Sequence, residues 1–474
     1  MTFPNLMPMV PELVLVVLGL LLLMLDVITG KKEILALVTL TGAIIAFYFI
    51  KSSTGILFDG MYVADSYSNF FKTIFIINLL LSTLISVKYL ETEKALHGEY
   101  YALLVFATIG MMSIASAGNL IVLYLGLELM SLSIYVLCGF LRSDTKSTES
   151  AIKYFLLGAF STAILLFAVS LLYGSTGSLD FNKIATSVIA MGPDGAKPLL
   201  LFSVALFVAA VGFKIAAVPF HMWSPDVYEG APTSVTAFMS VGPKAAGFAI
   251  VGKVFFVALY YLQIEWVKLL IPISVATMIV GNVLAISQTN IKRMLAYSSI
   301  AHAGYALLGI IAATSQGLSA TMNYMLIYMF MNVGAFAVVI MLRTGNFIGD
   351  ELKDYLGLAK THPAVAMLMM VFMFSLTGIP PTAGFIGKFY IFTALIQRGY
   401  ITLAAVAVLI SVISAFFYLR VVMFMYMKEP EVETAVSDSL YLKVALAVSA
   451  AMVVVIGIFP GKFLEFAKSA LFIQ

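Results

Sequence analysis

Residues 198–219 read PLLLFSVALFVAAVGFKIAAVP, and the fold class follows from this run. A helix rises about 1.5 Å per residue, so the run is long enough to cross a hydrocarbon core of about 30 Å. It carries one charge, Lys214, and it ends in a proline, Pro219. A helix interrupted by proline, with a lysine beside the interruption, is a costly thing to place in lipid. It is kept where the lysine faces a bundle interior or a wet cavity.

The rest of the chain has the same character. Hydrophobic residues make up 62% of 474 positions and charged residues 11%, with a mean hydropathy of +1.05. Soluble domains are near half apolar and a quarter charged, so this composition calls for lipid as solvent. Fourteen apolar runs fall at about 10–29, 33–50, 66–88, 99–117, 119–140, 151–173, 198–219, 233–261, 266–288, 291–313, 317–342, 363–397, 400–427 and 439–459. The expectation is an all-α polytopic membrane protein, a single membrane domain over 1–474. Met1–Met9 lacks the basic start of a secretory signal, so the first run reads as the first transmembrane helix.

The connections are short, as at Ser116-Ala117-Gly118-Asn119, which makes the flanking helices an antiparallel hairpin. Counted in alternate loops, Lys and Arg number twelve on one side (Lys31, Lys32 and Arg343 among them) and seven on the other (Lys197 among them). The richer side is expected to face the cytoplasm, which places both termini on the periplasmic side. Pro380-Pro381 interrupts the twelfth run, with Lys388 following, much as Pro219 interrupts the seventh after Lys214. The two runs lie five helices apart, and an odd number reverses direction. Two inverted five-helix repeats, 99–261 (helices 4–8) and 266–427 (helices 9–13), with broken helices 7 and 12, would give this pattern.

Charges inside spans mark the candidate chemistry. Glu128 lies near the middle of helix 5, with Ser131 and Tyr135 on the same face. Lys214 precedes Pro219, Lys244 follows Pro243, and Lys388 follows the Pro380-Pro381 break. Proline frees a backbone carbonyl and invites water. Burial disfavours the charged form of a lysine and a neighbouring carboxylate favours it, so a movable acid–lysine pair can switch proton affinity. Lys153 and Lys253 lie nearer the span ends, where snorkelling and function are equally good readings. His302, among Ser298, Ser299 and Tyr305, reads either as a proton carrier between lysine sites or as a hydrogen-bonded core histidine. Interfacial anchoring accounts for Glu12, Asp26 and Arg420.

Several functions are excluded. A single cysteine, Cys138, rules out a disulfide framework, a thiolate zinc site and a cysteine-ligated cluster within the chain. The four histidines (97, 221, 302 and 362) lack metal-ligand spacing, and no glycine-rich phosphate loop is present. A net charge of +3 without a basic run gives no nucleic-acid footprint.

Four stretches together resemble a known family: LELMSLS (127–133), FKIAAVPFHMWSPDVYEGAPT (213–233), NIKRMLAYSSIAH (290–302) and GIPPTAGFIGKF (378–389). The chain resembles the antiporter-like membrane subunits of bacterial NADH:quinone oxidoreductase, respiratory complex I, over nearly its whole length. Lys388 stands where the subunit M branch has a glutamate. Pro225-Asp226-Val227-Tyr228 stands for that branch's Pro-Asp-Ala-His, and only about fifteen residues follow Pro460, too few for the lateral helix of subunit L. These features favour the subunit N branch.

The resemblance implies a fourteen-helix fold and coupled proton translocation. Glu128 and Lys214 match an acid–lysine pair, Lys244 a central lysine and Lys388 a terminal lysine, while Lys153 and His302 match interior polar-axis positions. It implies no cofactor in this chain, with NADH, FMN, iron–sulfur clusters and quinone held by other subunits. The implied partners are subunit M, small membrane subunits and lipid. A cation/proton antiporter subunit, a ferredoxin- or hydrogenase-linked relative and an inert structural module are the alternatives.

Overall fold

The computed structural model describes residues 5–29, 33–192, 198–344, 349–430 and 436–471. Lys31, Lys32 and Lys197, used in the loop count, lie outside these. The chain opens with α1 (Val10–Ile28) and α2 (Glu33–Ile50), then a small antiparallel hairpin, β1 (Gly55–Leu57) and β2 (Tyr62–Ala64). Next come α3 (Ser66–Thr92), α4 (Gly98–Ser116), α5 (Leu120–Cys138), α6 (Thr145–Thr176), the short α7 (Phe181–Ala190), α8 (Pro198–Lys214), α9 (Trp223–Gly230) and α10 (Thr233–Lys253). The second half holds α11 (Gln263–Ile286), α12 (Ile291–Ile311), α13 (Ser315–Leu342), α14 (Leu358–Thr361), α15 (Pro363–Thr377), α16 (Ala383–Gln397), α17 (Ile401–Met427), α18 (Leu440–Ile458) and α19 (Pro460–Ser469).

Among the described residues twelve helices are long and apolar enough to cross a membrane, and α8, α15 and α16 are shorter apolar helices. This is a multi-pass membrane protein. α13 is buried throughout and α10 and α12 nearly so, while α1, α2, α6, α11 and α17 turn broad apolar faces outward. Exposed Val17, Phe160, Leu409 and Val412 would be a liability in water and are at home in lipid or against a neighbouring subunit.

Polar side chains fix where helices start. Asp65 and Ser68 form a reciprocal capping box at α3, and Asn119, Asp144, Asp180, Asn290 and Thr314 cap α5, α6, α7, α12 and α13.

The seventh apolar run stays helical only to Lys214; Ala216 adopts φ +57°, and the chain turns into α9 before α10. The twelfth run divides into α15 and α16 at Gly378, whose φ is +91°. Pro243, by contrast, lies inside a continuous α10 and does not break it. Lys292 is buried in the first turn of α12 and donates to the carbonyls of Glu229 (2.6 Å) and Ala231 (2.9 Å), at the end of α9. The hairpin, α7, α9 and α19 have no counterpart among the apolar runs.

One set of contacts occurs twice, with every residue number in the second copy 171 higher. Asn119 caps Val122 N and bridges Asp180; Asn290 caps Arg293 N and bridges Glu351. Leu120 N donates to Leu179 O at 3.0 Å, and Ile291 N to Asp350 O at 2.7 Å. A Cβ on Gly110 would strike Met130 N and lie 2.6 Å from Gly126 O; one on Gly281 would lie 2.6 Å from Ala301 N and 2.8 Å from Tyr297 O. Both pairs, α4–α5 and α11–α12, therefore pack backbone to backbone through a glycine.

Replacing Gly281 by valine should push α11 and α12 apart. The expected cost exceeds the ~1–3 kcal/mol of ordinary overpacking, because backbone rather than a side chain must move. Thermal unfolding in detergent should show a lowered midpoint for Gly281→Val and none for Gly174→Ala, where nothing lies within 4 Å of the added carbon. Equal midpoints would refute the close approach.

Candidate functional site: a buried axis of lysines

Lys214 is the last residue of α8, so its side chain leaves a helix C-terminus, the end that favours a cation. It is 5% exposed, and its Nζ donates to Ser131 Oγ at 3.0 Å. Ser131 stands on α5 one turn after Glu128. Among the described residues no ion pair joins Glu128 to Lys214, and Glu128 Oε1 is buried without a hydrogen-bond partner. The polar partner of the lysine is therefore Ser131, one turn along α5 from the acid. Gly158 makes room for Tyr135 in the next turn, because a Cβ there would overlap the phenol oxygen. Trp223 donates its Nε1–H to Phe213 O at 3.0 Å, which also accepts from Ala216 N at 3.1 Å, so the indole ties α9 to the end of α8.

Lys244, on α10, is 2% exposed and donates to both the carbonyl and the hydroxyl of Ser299 on α12. Its ammonium also lies 5.3 Å from the centre of the Tyr328 ring. One turn beyond Ser299, His302 contacts two phenols: Nδ1 meets Tyr324 OH at 2.6 Å and Nε2 meets Tyr418 OH at 3.1 Å. Tyr305 follows on α12, its ring centre 6.0 Å from that of His302 and 4.8 Å from Lys388 Nζ. Lys388 starts from α16 and reaches back across the break. It donates to the last carbonyls of α15, Leu376 O (3.2 Å) and Thr377 O (2.8 Å), and to Ser411 Oγ (2.9 Å). Lys244, Ser299, His302, Tyr305 and Lys388 thus follow one another through the bundle centre, and Lys214 with Ser131 lies towards the α5–α8 side.

Other expected residues are placed elsewhere. The Lys153 side chain is 42% exposed and pairs with Glu149 (2.7 Å) and Asp226 (2.9 Å), so it stands at the rim and not in the interior. Arg293 joins that cluster through Asp226 (2.9 Å) and Glu229 (2.8 Å), and Lys146 through Glu229 (2.9 Å). Partial burial alone would push the Asp226 and Glu229 carboxyls up, but the cations outweigh it and hold both below the ordinary carboxylate range. Lys253 is fully buried and paired with Asp65 at 3.5 Å, which replaces the snorkelling reading.

Two anchoring assignments are corrected as well. Glu12 is 1% exposed and forms a closed triad: Lys72 Nζ contacts it at 2.9 Å and Tyr62 OH at 2.9 Å, and Tyr62 OH donates to Glu12 Oε1 at 2.7 Å. Arg420 caps the end of α11 through Ile286 O (2.8 Å) and Gln288 O (2.7 Å). Lys72 carries the same signal in the chain, a lysine within an apolar run. Tyr324, Tyr328, Tyr418 and Ser411 give no local signal. Among the described residues no group of three or more His, Cys, Asp or Glu side chains gathers as a metal site.

Taken together, these features define a membrane-embedded helical bundle whose interior carries ionisable groups from two broken helices and the helices between them. A family profile described as NADH:quinone oxidoreductase/Mrp antiporter, transmembrane, matches residues 117–414. The chain is 50% identical to NADH-quinone oxidoreductase subunit N 2 of Rhizobium meliloti over 88% of its own length and 86% of that protein. Identity to NADH-quinone oxidoreductase subunit N of Trichlorobacter lovleyi is 47%, over 98% and 97%. A chain of respiratory complex I from Thermus thermophilus superposes with TM-score 0.83 at 30% identity, covering 97% of this chain and 99% of that one. A chain of the Mrp complex from Dietzia sp., 21% identical, shares the fold with TM-score 0.84 over 98% and 97%. The chain belongs to the NADH:quinone oxidoreductase/Mrp antiporter transmembrane family, in its subunit N branch.

The Glu12–Lys72 pair offers a test of how the first three helices are held. Lys72→Met alone leaves a carboxylate buried without its cation and should cost about 3–5 kcal/mol, whereas Glu12→Leu with Lys72→Met should recover most of it. Unfolding of the purified protein in detergent measures both. A double variant as unstable as the single would assign the triad a role beyond charge compensation.

Proposed function

We propose that this chain is the proton-translocating membrane-arm subunit of an NADH:quinone oxidoreductase, working as part of that translocase with no redox centre of its own. The observation that carries the reading is the sequence of buried lysines held by neutral acceptors, with His302 and phenols between Lys244 and Lys388. The names of the relatives support the complex to which it belongs. NADH, FMN, iron–sulfur clusters and quinone then reside in other subunits, and antiporter-like subunit M and small membrane subunits are the neighbours.

In this reading Glu128, Lys214, Lys244 and Lys388 take and release protons. His302 passes them between the last two lysines, and Lys153 stands at a rim cluster. Movement of Glu128 towards or away from Lys214 changes the proton affinity of the pair. The alternative of a cation/proton antiporter subunit separates from this one by copurification, since only the first brings redox subunits with it.

The same reading places the chain in a bacterial inner membrane with both termini periplasmic, on the Lys/Arg bias of the loops. Counting the two broken helices as one span each, with the twelve long ones, gives fourteen spans. Contacts repeated at an interval of 171 residues support two five-helix repeats over 99–261 and 266–427, inverted because an odd number of spans separates them.

Inverted membrane vesicles carrying Lys214→Ala provide the test. NADH:quinone electron transfer and proton uptake should both fall, by about tenfold or more, while NADH oxidation by an artificial acceptor persists and the complex remains assembled. Normal electron transfer with a normal proton yield per electron would make Lys214 a structural residue and defeat the mechanism.

A further inference from the structure

A cavity of about 530 Å³ opens beside the β-hairpin, many times the ~10–15 Å³ that admits a single water. It lies on the face that carries both termini. Tyr62 of the hairpin reaches Pro8 O at 3.5 Å, and Phe70 near the start of α3 packs on Phe466 of α19, ring centres 4.9 Å apart. Around the cavity α4 and α10 end, at Ser116 and Lys253, and α3 and α5 begin, at Ser66 and Leu120. Spanning helices give way to connections at this level, so the cavity sits at the depth of lipid headgroups.

Its walls are tied together by backbone. Gly118 N donates to Met61 O at 2.9 Å and Phe181 N to Gly118 O at 3.2 Å, which joins the hairpin, the α4–α5 connection and α7 into one frame. α7 buries Phe181, Ile184 and Val188 on one side and leaves Lys183 exposed, the pattern of a helix lying in the plane of the membrane surface. Tyr261 is 60% exposed at the mouth, where an amphipathic ring belongs, and Ile56 beside it is 68% exposed, with lipid to cover it.

Three charged side chains line the cavity: Asp65, Asp180 and Lys253. Two of them are matched to each other. Asp65 caps α3 with Oδ1 and lies 3.5 Å from Lys253 Nζ through Oδ2. Asp180 caps α7, its Oδ1 accepting from Lys183 N at 2.9 Å. Among the described residues no cation pairs with Asp180, and its other oxygen, Oδ2, is turned to the hairpin, 3.8 Å from where a Cβ on Gly60 would stand. Gly60, at φ +89°, has no side chain to fill that space. The cavity therefore holds an excess of one negative charge, with an uncommitted carboxylate oxygen at its wall. Coulomb attraction and charge-assisted hydrogen bonding both favour a cation there. A divalent metal suits it poorly, because the Lys253 ammonium shares the space and two carboxylates fall short of the oxygen ligands such an ion takes.

We propose that this cavity binds the primary ammonium of a phospholipid headgroup, of the phosphatidylethanolamine type, with Asp180 Oδ2 as its acceptor. A primary ammonium brings three donors to a carboxylate, whereas a trimethylated one brings none. The rings of Tyr260 and Tyr261, edge to face at 5.7 Å, add the aromatic surface that a cation favours. Asn182 and Lys253 line the same space as donors for the phosphate, and the acyl chains pass Ile56 and Tyr261 into the bilayer. The site is separate from the lysine axis, and the inference does not depend on translocation.

The test uses the full chain, purified in detergent and freed of lipid. Asp180→Asn keeps a good helix cap and removes the charge. Asp144→Asn makes the same exchange at the cap of α6, away from the cavity. Val257→Trp fills the cavity from the segment after α10. Each protein is titrated with phosphatidylethanolamine, phosphatidylcholine and phosphatidylglycerol of identical acyl chains, and with free ethanolamine. Native mass spectrometry counts the lipid retained.

Wild type and Asp144→Asn should retain one phosphatidylethanolamine with a preference of about tenfold over the other two lipids, the worth of one charge-assisted hydrogen bond. Asp180→Asn and Val257→Trp should lose that preference. Equal retention of the three lipids, or a preference untouched by Asp180→Asn, overturns the site. Displacement of the lipid by free ethanolamine at equal concentration would make the ligand a small soluble amine and overturn the lipid assignment. Should Val257→Trp fail to fold, the two aspartate variants decide alone.

Discussion

Everything in this bundle answers to the cost of placing an ammonium group in a medium without water. Six lysines with little or no exposed surface meet that cost in two different ways. Lys72 and Lys253 lie against carboxylates, at 2.9 Å from Glu12 and 3.5 Å from Asp65. Lys214, Lys244, Lys388 and Lys292 are held by hydroxyl and carbonyl oxygens. A carboxylate in contact attracts an ammonium with a Coulomb energy that neutral oxygens cannot match at low dielectric. An ion pair is therefore a fastening. A lysine held by neutral acceptors keeps hydrogen bonds in its charged form and abandons no partner charge in its neutral form, which suits a group that exchanges protons.

The break in the twelfth apolar run supplies the carbonyl acceptors of Lys388, and the break in the seventh sets Lys214 at a helix end. A continuous helix consumes its carbonyls internally, whereas an interrupted one leaves the last turn free. Lys388 exploits this by reaching from the start of α16 back to the end of α15, and Gly378 allows it: a Cβ there would lie 3.2 Å from Lys388 Cδ. Lys214 stands on the last residue of α8 itself. In both cases the partial negative charge of a helix C-terminus lies beside the cation, so the backbone does part of what a carboxylate does elsewhere.

Much of this was legible in the chain because a charge in a long apolar run announces itself. The span class, both broken helices and the burial of Lys214, Lys244, Lys388 and His302 follow from that one contrast. It fails where the contrast vanishes. α13 is buried on every side, so its periodicity says nothing about which tyrosine faces His302, and the pairing of Tyr324 with Nδ1 is a property of the packed bundle. Glu12 and Lys153 show the opposite error: distance from a span end does not give depth. Glu12 is buried because the β-hairpin folds Tyr62 over it, while Lys153 stays at the rim because α9 presents Asp226 there. Short polar helices such as α7 and α9 leave no apolar signature to read.

The two kinds of lysine meet on one helix. Lys244 and Lys253 are nine residues apart on α10, about 180° around its axis at roughly 100° per residue. One faces α12 through Ser299 and the other faces α3 through Asp65. α10 is thus fastened by an ion pair near its end and left, at its centre, with a lysine whose partners are neutral. On the proposed reading, proton exchange at Lys244 asks nothing of the helix as a rigid body. It needs only the rearrangement of Ser299, Tyr328 and their neighbours, and small hydrogen-bond changes of this kind can pass through a close-packed bundle without unpacking it.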